Sequence, residues 1–327
     1  MTLILTHSEI EPLINMAEVI AAVERGIGGL AVGAATQADR DPISTPGGQT
    51  LLVPMLAAVD RFGGMKLLAD TLGNASAGRP TQQSTIVLVD ALTGSCLAIL
   101  HGAAVTRART AAASAVATKY LARSQGGSLG LIGVGALAGP HLEALRLVRS
   151  IDTVHVWSRT AASAQRFAEQ ASDRFGVKVE AAASAEDVVR NSDILCTLTP
   201  SLEPVVRGRW LTPGMHINAV GTPPRLGFRE VDEHAVGRAK VVVDDRRVAA
   251  LESDELRAAI AAGLLDGDTR LDELSDVIAG KVAGRTDDDQ ITLYKSLGTG
   301  IQDVTTAAVI YAKAIASGVG TMINLRG

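Results

Sequence analysis

The apolar positions change rhythm along the chain. Thr6-His7-Ser8-Glu9 ahead of Ile10 has the form of a capping box, and Met16–Leu30 carries apolar residues at helical spacing. After Arg40 come short β-leaning runs: LLVPMLAAV (51–59), GMKLLAD (64–70), STIVLVD (84–90) and SCLAILH (95–101). Turn residues separate them, and Asp90-Ala91-Leu92-Thr93-Gly94 predicts a hairpin turn. This part therefore predicts helix plus mostly antiparallel sheet, followed by an Ala-rich helix over Val105–Leu121.

From Ser128 strands and helices alternate. SLGLIGVG runs into glycines, Ala136–Val148 reads as helix, TVHVW as strand and Ala161–Phe175 as helix. VKVEA, a helix near Ala185–Asn191, DILCTL, HINAVG and KVVVDD continue the series. Such alternation predicts a parallel, doubly wound sheet. Further helices are expected over Val248–Gly263 and Ile301–Ser317, the latter holding the apolar AAVIYAKAIA. The expected fold is α/β, with a Rossmann doubly wound domain (123–300) inserted into a second, α+β domain made of 1–122 and 301–327.

Composition narrows the function. A chain of 327 residues that is 47% hydrophobic has ample material for a core. With 31 Lys+Arg against 35 Asp+Glu, net charge −4 and only 2 Trp, 3 Tyr and 4 Phe, it has neither the basic footprint nor the stacking platforms of a nucleic-acid binder. No window approaches ~18–20 uninterrupted apolar residues, so no membrane span is expected. MTLILTHSEIEPL lacks the basic start of a secretory signal. Cys96 and Cys196 lie in apolar runs and read as reduced core thiols. The six histidines never fall three or four apart, so no metal site is expected. A cytoplasmic metabolic protein is the expectation.

The chemistry begins at Gly133-Val134-Gly135-Ala136-Leu137-Ala138, a GxGxxA turn between a strand and a helix. Gly133 permits the tight turn, Gly135 lets backbone approach a pyrophosphate, and Ala136, Leu137 and Ala138 lead into a helix whose N–H groups face the phosphates. An NAD site places Asp or Glu about 20 residues on, to bond the ribose 2′-hydroxyl. Here the next strand ends in Ser158-Arg159-Thr160, a set suited to a 2′-phosphate. NADP(H) is therefore favoured over NAD(H).

Several segments together resemble the ornithine cyclodeaminase/μ-crystallin family over nearly the whole chain: Arg109 followed by Thr110-Ala111-Ala112-Ala113-Ser114, IGVGALA, WSRT, HINAVG (216–221) and YKSLGTGIQD (294–303). The resemblance implies a homodimer in which open N-terminal sheets pair across a two-fold, and a site in the cleft between two domains. It implies nicotinamide chemistry at an α-carbon that bears nitrogen and carboxylate. The family's carboxylate-binding arginine falls on Arg109, its inner-strand lysine on Lys66 and a second arginine on Arg40, with Gln83 at a substrate-side position. Thr197, Thr199, Val220 and Leu297 would face the nicotinamide. A forked guanidinium suits a carboxylate, and a desolvated lysine suits proton transfer. Arg107 is the nearer candidate for a surface charge.

Two departures shape the expected activity. Cyclodeaminases of the family carry an acid shortly after the HINAVG-type strand; here Gly221-Thr222-Pro223-Pro224-Arg225-Leu226-Gly227-Phe228-Arg229-Glu230 has no Asp. They also carry a Glu just before the first-strand Met-Pro, where this chain reads Leu51-Leu52-Val53-Pro54. Ring closure thus loses its evident base, whereas imine reduction needs only a protonated imine, an oriented cofactor and a carboxylate clamp. The expectation is an NADPH-dependent reductase of small 2-imino acids giving 2-amino acids, acting through Lys66 and Arg109. The rivals are an NAD-dependent cyclodeaminase or amino-acid dehydrogenase, and a non-catalytic, NADPH-dependent binder of a small carboxylate.

Overall fold

In the computed structural model, which describes residues 1–267 and 271–325, the chain divides into two units, Met1–Arg109 with Gly298–Gly327, and Thr110–Leu297. The division falls after Arg109, inside the helix Gly102–Leu121, rather than after residue 122. A continuous Ala-rich helix offers no linker composition to mark it. The last two residues of the expected C-terminal piece, 326–327, lie outside the described residues.

The first unit is built on β1 (Thr2–Leu5), β2 (Ala35–Gln37), β3 (Ile43–Ser44), β4 (Leu51–Val59), β5 (Phe62–Asp70), β6 (Gln82–Asp90), β7 (Cys96–His101) and a strand at Thr321–Ile323. From that last strand the sheet order is β1-β7-β6-β5-β4-β2, with β3 beside β4. Among the described strands of this sheet, only β1 and β7 pair in parallel. The β6–β7 turn forms where the sequence predicts it, because Asp90 Oδ1 accepts the N–H groups of Leu92 and Thr93 (3.0 Å each). Neither β1 nor Thr321–Ile323 is legible from patterning; strands of three or four residues owe their conformation to their partners.

Register decides the faces of this sheet. Met55, Lys66 and Ile86 lie opposite one another on β4, β5 and β6, and all three are buried. Their face carries the helix Gly300–Ser317, whose buried Ile301, Val304, Ala307, Ile310 and Ala314 recur every three or four residues. That helix packs in turn on Met16–Val32, where Lys313 pairs with Glu18 at 3.0 Å. The opposite face presents Leu56 and Leu67, 46% and 39% exposed, and an apolar groove of about 650 Å³ lined by Leu56, Gly63, Met65, Val87 and Val89.

The second unit is a doubly wound sheet of β8 (Ser128–Ile132), β9 (Thr153–Trp157), β10 (Lys178–Ala181), β11 (Ile194–Thr197), β12 (His216–Ala219), β13 (Lys240–Val243), β14 (Asp272–Glu273) and β15 (Thr292–Lys295). Its order is β10-β9-β8-β11-β12-β15-β13-β14, with every pairing parallel. The order reverses between β8 and β11, the point beyond whose carboxyl ends such sheets bind ligands. One expected helix, Val248–Gly263, is two: Arg246–Glu252 and Asp254–Ala261. Ser253 divides them with an extended backbone (φ −91°, ψ 105°) while its hydroxyl caps the second by accepting from Leu256 N. Cys196 is closed to solvent, but Cys96 is only half-buried, and both are free. Among the described residues no helix is long and apolar enough to cross a membrane.

Candidate active site

In the first unit, alternation along β5 turns Lys66 toward the start of the helix Gly300–Ser317, where it meets Asp303. Lys66 Nζ donates to Asp303 Oδ1 at 3.0 Å and lies 2.9 Å from Oδ2. Arg109 reaches the same carboxylate, donating from Nε to Oδ1 at 3.0 Å, and from Nη1 to Gln302 Oε1 at 2.8 Å. Arg40 donates from Nη1 to the carbonyl of Gly298 at 2.8 Å. Gly298 has φ +75°, and a Cβ there would run into Arg109 Nη1, so the guanidinium lies directly against its backbone. All four charged side chains are buried.

Lys66 and Arg109 thus share one buried carboxylate, with the Arg40 charge close enough to be felt at Lys66, and buried charge of one sign is costly without a counter-ion. The strain shows at Lys66. Burial, then the Arg109 charge and more weakly Arg40, pull its ammonium down from its ordinary range to about 7, against the opposing pull of Asp303. The cluster can accept an organic anion, and its lysine can release or take a proton near neutrality. Beside it, Val53, Met55 and Leu68 form a small apolar cluster on the Lys66 face of the sheet.

The structure brings Lys66, Arg109 and Arg40 together; Gln83 is not among them. It pairs with Ala69, three positions along β5 from Lys66, so it projects from the other face, and it is exposed. Asp303 and Gln302 carry no site signature of their own in the sequence. The available signal was an acid and an amide, GIQDV, at the start of an otherwise apolar helix. Arg107 pairs with Glu11 at 2.7 Å on a partly exposed surface.

In the second unit, the glycine turn follows β8. Gly133 adopts φ +101° and donates from N to Trp157 O at 2.9 Å. A Cβ on Gly135 would meet no atom within 4 Å, Ala136 is exposed and Leu137 half-buried, and buried Ala138 begins the helix Ala138–Arg146. The cradle is open where a pyrophosphate would lie. Beyond β9, Ser158 is half-buried, Arg159 and Thr160 are exposed, and Arg159 has no ion pair among the described residues.

At the carboxyl ends of the neighbouring strands, Thr197 Oγ1 is buried without a hydrogen-bond partner among the described residues, a donor and acceptor available to a bound ligand. Val220 donates from N to Thr197 O at 3.1 Å, and Leu297 N donates to Asp244 Oδ2 at 2.6 Å. Thr199 donates both its N–H and its hydroxyl to Glu230. Glu230, the acid that closes the segment after β12, is itself fully buried and receives backbone donors, so it is not presented as a base. No group of three or more His, Cys, Asp or Glu among the described residues could hold a metal ion.

The model of the ornithine cyclodeaminase/mu-crystallin family matches residues 1–318. A Δ1-pyrroline-2-carboxylate reductase of Bacillus cereus is 34% identical over 325 residues, covering 98% of this chain and 99% of that protein. Two solved structures each superpose with a TM-score of 0.93 at 35% identity. One is the Δ1-pyrroline-2-carboxylate reductase of Thermococcus litoralis in complex with NADH and L-proline, with 98% of this chain and 100% of that one covered. The other is an archaeal alanine dehydrogenase dimer with bound NAD, with 99% of each chain covered.

Proposed function

The chain belongs to the ornithine cyclodeaminase/mu-crystallin family, and on that premise we propose that it is an NADPH-dependent reductase of small 2-imino acids, of the ketimine or Δ1-pyrroline-2-carboxylate type, yielding the 2-amino acid. The observation that carries this reading is the convergence of Lys66, Arg109 and Asp303 in one buried cluster.

Arg109, with Arg40 beside it, takes the substrate carboxylate and fixes the α-carbon. Lys66 Nζ passes its proton to the imine nitrogen, and the iminium charge that appears replaces the ammonium charge that is lost, so the cluster's net charge is unchanged. Asp303 holds Nζ in place before and after the transfer. Val53, Met55 and Leu68 exclude water from this side and strengthen each electrostatic contact. The nicotinamide, when bound, supplies the hydride that completes a C–H bond at the α-carbon. Gly133, Gly135 and the start of the helix Ala138–Arg146 would hold the pyrophosphate.

The preference for NADP(H) is proposed from Ser158-Arg159-Thr160, where a guanidinium with no ion pair among the described residues stands between two hydroxyls in the place of a ribose-binding acid. The dimer is proposed from the open apolar face of the first sheet, in keeping with the dimer of the similar archaeal protein. Ring closure of ornithine is disfavoured because the acid of the segment after β12 is turned inward.

A direct test follows NADPH absorbance with Δ1-pyrroline-2-carboxylate, and with pyruvate plus ammonia or methylamine, beside an assay for proline and ammonia from ornithine. Imine-dependent oxidation of NADPH is the expected result. Ornithine cyclisation without imine reduction would overturn the proposal.

A further inference from the structure

In the second unit, three loops meet at Leu198-Thr199 with no side chain between their backbones. A Cβ on Gly221 would run into Thr199 N, and a Cβ on Gly133 would lie 2.8 Å from both Leu198 O and Thr199 Cγ2. These loops follow β11, β12 and β8, the strands on either side of the point where the sheet order reverses. Backbone packed this closely leaves N–H groups that water cannot reach.

One carboxylate takes them, sharing Gly221 N with the Thr197 carbonyl at 3.1 Å. Glu230 accepts Thr199 N at 2.6 Å and Thr199 Oγ1 at 2.8 Å through Oε1, and Gly221 N at 2.5 Å through Oε2. It is fully closed to solvent. Behind it, Lys295 Nζ donates to Glu255 Oε1 at 2.9 Å and to Thr222 Oγ1 at 2.7 Å, and Glu230 N donates to Glu255 Oε1 at 3.3 Å. Burial pushes the Glu230 carboxyl up, while the Lys295 charge and its own N–H and O–H donors pull it back toward the ionised form. The carboxylate thus belongs to a network that ends at the loops, and it reaches into no open space.

We propose that Glu230 is a positioning residue for the nicotinamide nucleotide. By pinning Thr199 to Gly221 against Gly133, it sets the spacing of the loops along which the nucleotide lies, without touching the nucleotide itself. This rests on the nucleotide reading of that edge. Glu230→Gln keeps the volume but turns an NH2 group toward one of the backbone donors, leaving an N–H facing an N–H. Asp232 supplies a matched control. Its Oδ1 accepts Gly208 N and Ala235 N, both at 2.8 Å, so it too is a carboxylate spent on buried backbone donors, but away from Thr199 and Gly221.

The experiment is titration of NADPH and NADH into wild type, Glu230→Gln and Asp232→Asn by tryptophan fluorescence, with Tm measured for each. Glu230→Gln should weaken nucleotide binding roughly 10- to 100-fold, and at saturating nucleotide should leave the KM for the imino acid within about threefold. Asp232→Asn should lower Tm comparably and bind nucleotide as wild type does. A Glu230→Gln protein that loses Tm but keeps wild-type affinity overturns the inference. A wild type that binds neither nucleotide overturns the reading beneath it, and the inference with it. Should Glu230→Gln fail to fold, amide exchange on the nucleotide-free wild type decides. Thr199 and Gly221 should be strongly protected, and exchange at the free-peptide rate overturns the role.

Discussion

Lys66 Nζ is 3.0 Å from Asp303 Oδ1 and 2.9 Å from Oδ2, off the hydrogen-bonding direction of the second oxygen, and neither side chain reaches solvent. The pair joins the middle of a strand to the first turn of a helix 237 residues later. Arg109 shares the same Oδ1, so Asp303 is divided between two cations and neutralises neither fully. That sharing suits the cluster to a further anion and makes the Lys66 proton easy to lose.

The first prediction concerns pH. The proton donor must be charged, and the Lys66 ammonium loses its proton near pH 7. Above that, kcat/KM for imine reduction should fall about tenfold per unit, while oxidation of the amine should rise through the same range. Asp303→Asn withdraws the group that raises the Lys66 pKa, so the falling limb should move to lower pH. Rate profiles of both proteins from pH 5 to 9 test this, and a limb that stays in place in Asp303→Asn removes Lys66 from the donor role.

The carboxylate clamp is tested at Arg109. Arg109→Ala should lower kcat/KM by two to three orders of magnitude, about 3–4 kcal/mol of transition-state stabilisation. Arg109→Lys should also be poor, because a point charge cannot reproduce the fork or the bond to Gln302. Arg107→Ala, which loses a surface pair with Glu11 and a contact with His7, should behave as wild type. Imino-acid reduction at an unchanged rate in Arg109→Ala would sink the clamp.

Cofactor choice rests on Arg159. The side chain is exposed and has no ion pair among the described residues, so Arg159→Ala should leave Tm where it is. It should weaken NADPH binding by about 1.5–3 kcal/mol and leave NADH little changed, removing most of the preference. Calorimetric titration of both nucleotides gives the answer, and equal affinities in the wild type would contradict the assignment.

Assembly is tested on the open sheet face. A stable interface there should bury more than ~2,000 Å² and give a particle of about twice the 33.8 kDa chain. Leu56→Glu places a charge in the apolar groove and should shift the protein toward monomer while the Lys66–Asp303 cluster on the opposite face stays intact. Light scattering at micromolar concentration measures both proteins, and a monomeric wild type would dismiss the dimer.

Much of the fold is legible in the chain because it is local. Alternation over two residues or three to four marks nearly every long element, and the GxGxxA turn carries its own requirement for φ +101° at Gly133. The limits are physical too. Ser253 splits an expected helix because its side chain caps the following turn while its backbone leaves the helical region. Gln83 falls on the face away from Lys66 because a shift of one residue in strand register exchanges the two faces.

By itself, the sequence determined most of the long elements, the parallel and antiparallel halves and the glycine turn, since each depends on a few neighbouring residues, while Lys66, Arg109 and Arg40 came from the family resemblance of motifs read in order. Tertiary structure alone decided which side chains meet. Asp303 becomes the partner of Lys66 and Arg109 only when the helix Gly300–Ser317 lies on β5, and Glu230 becomes a clamp only when three strand ends converge. Charge neutralisation and desolvation are set by distances in space, and no local pattern along the chain encodes a contact across 237 positions.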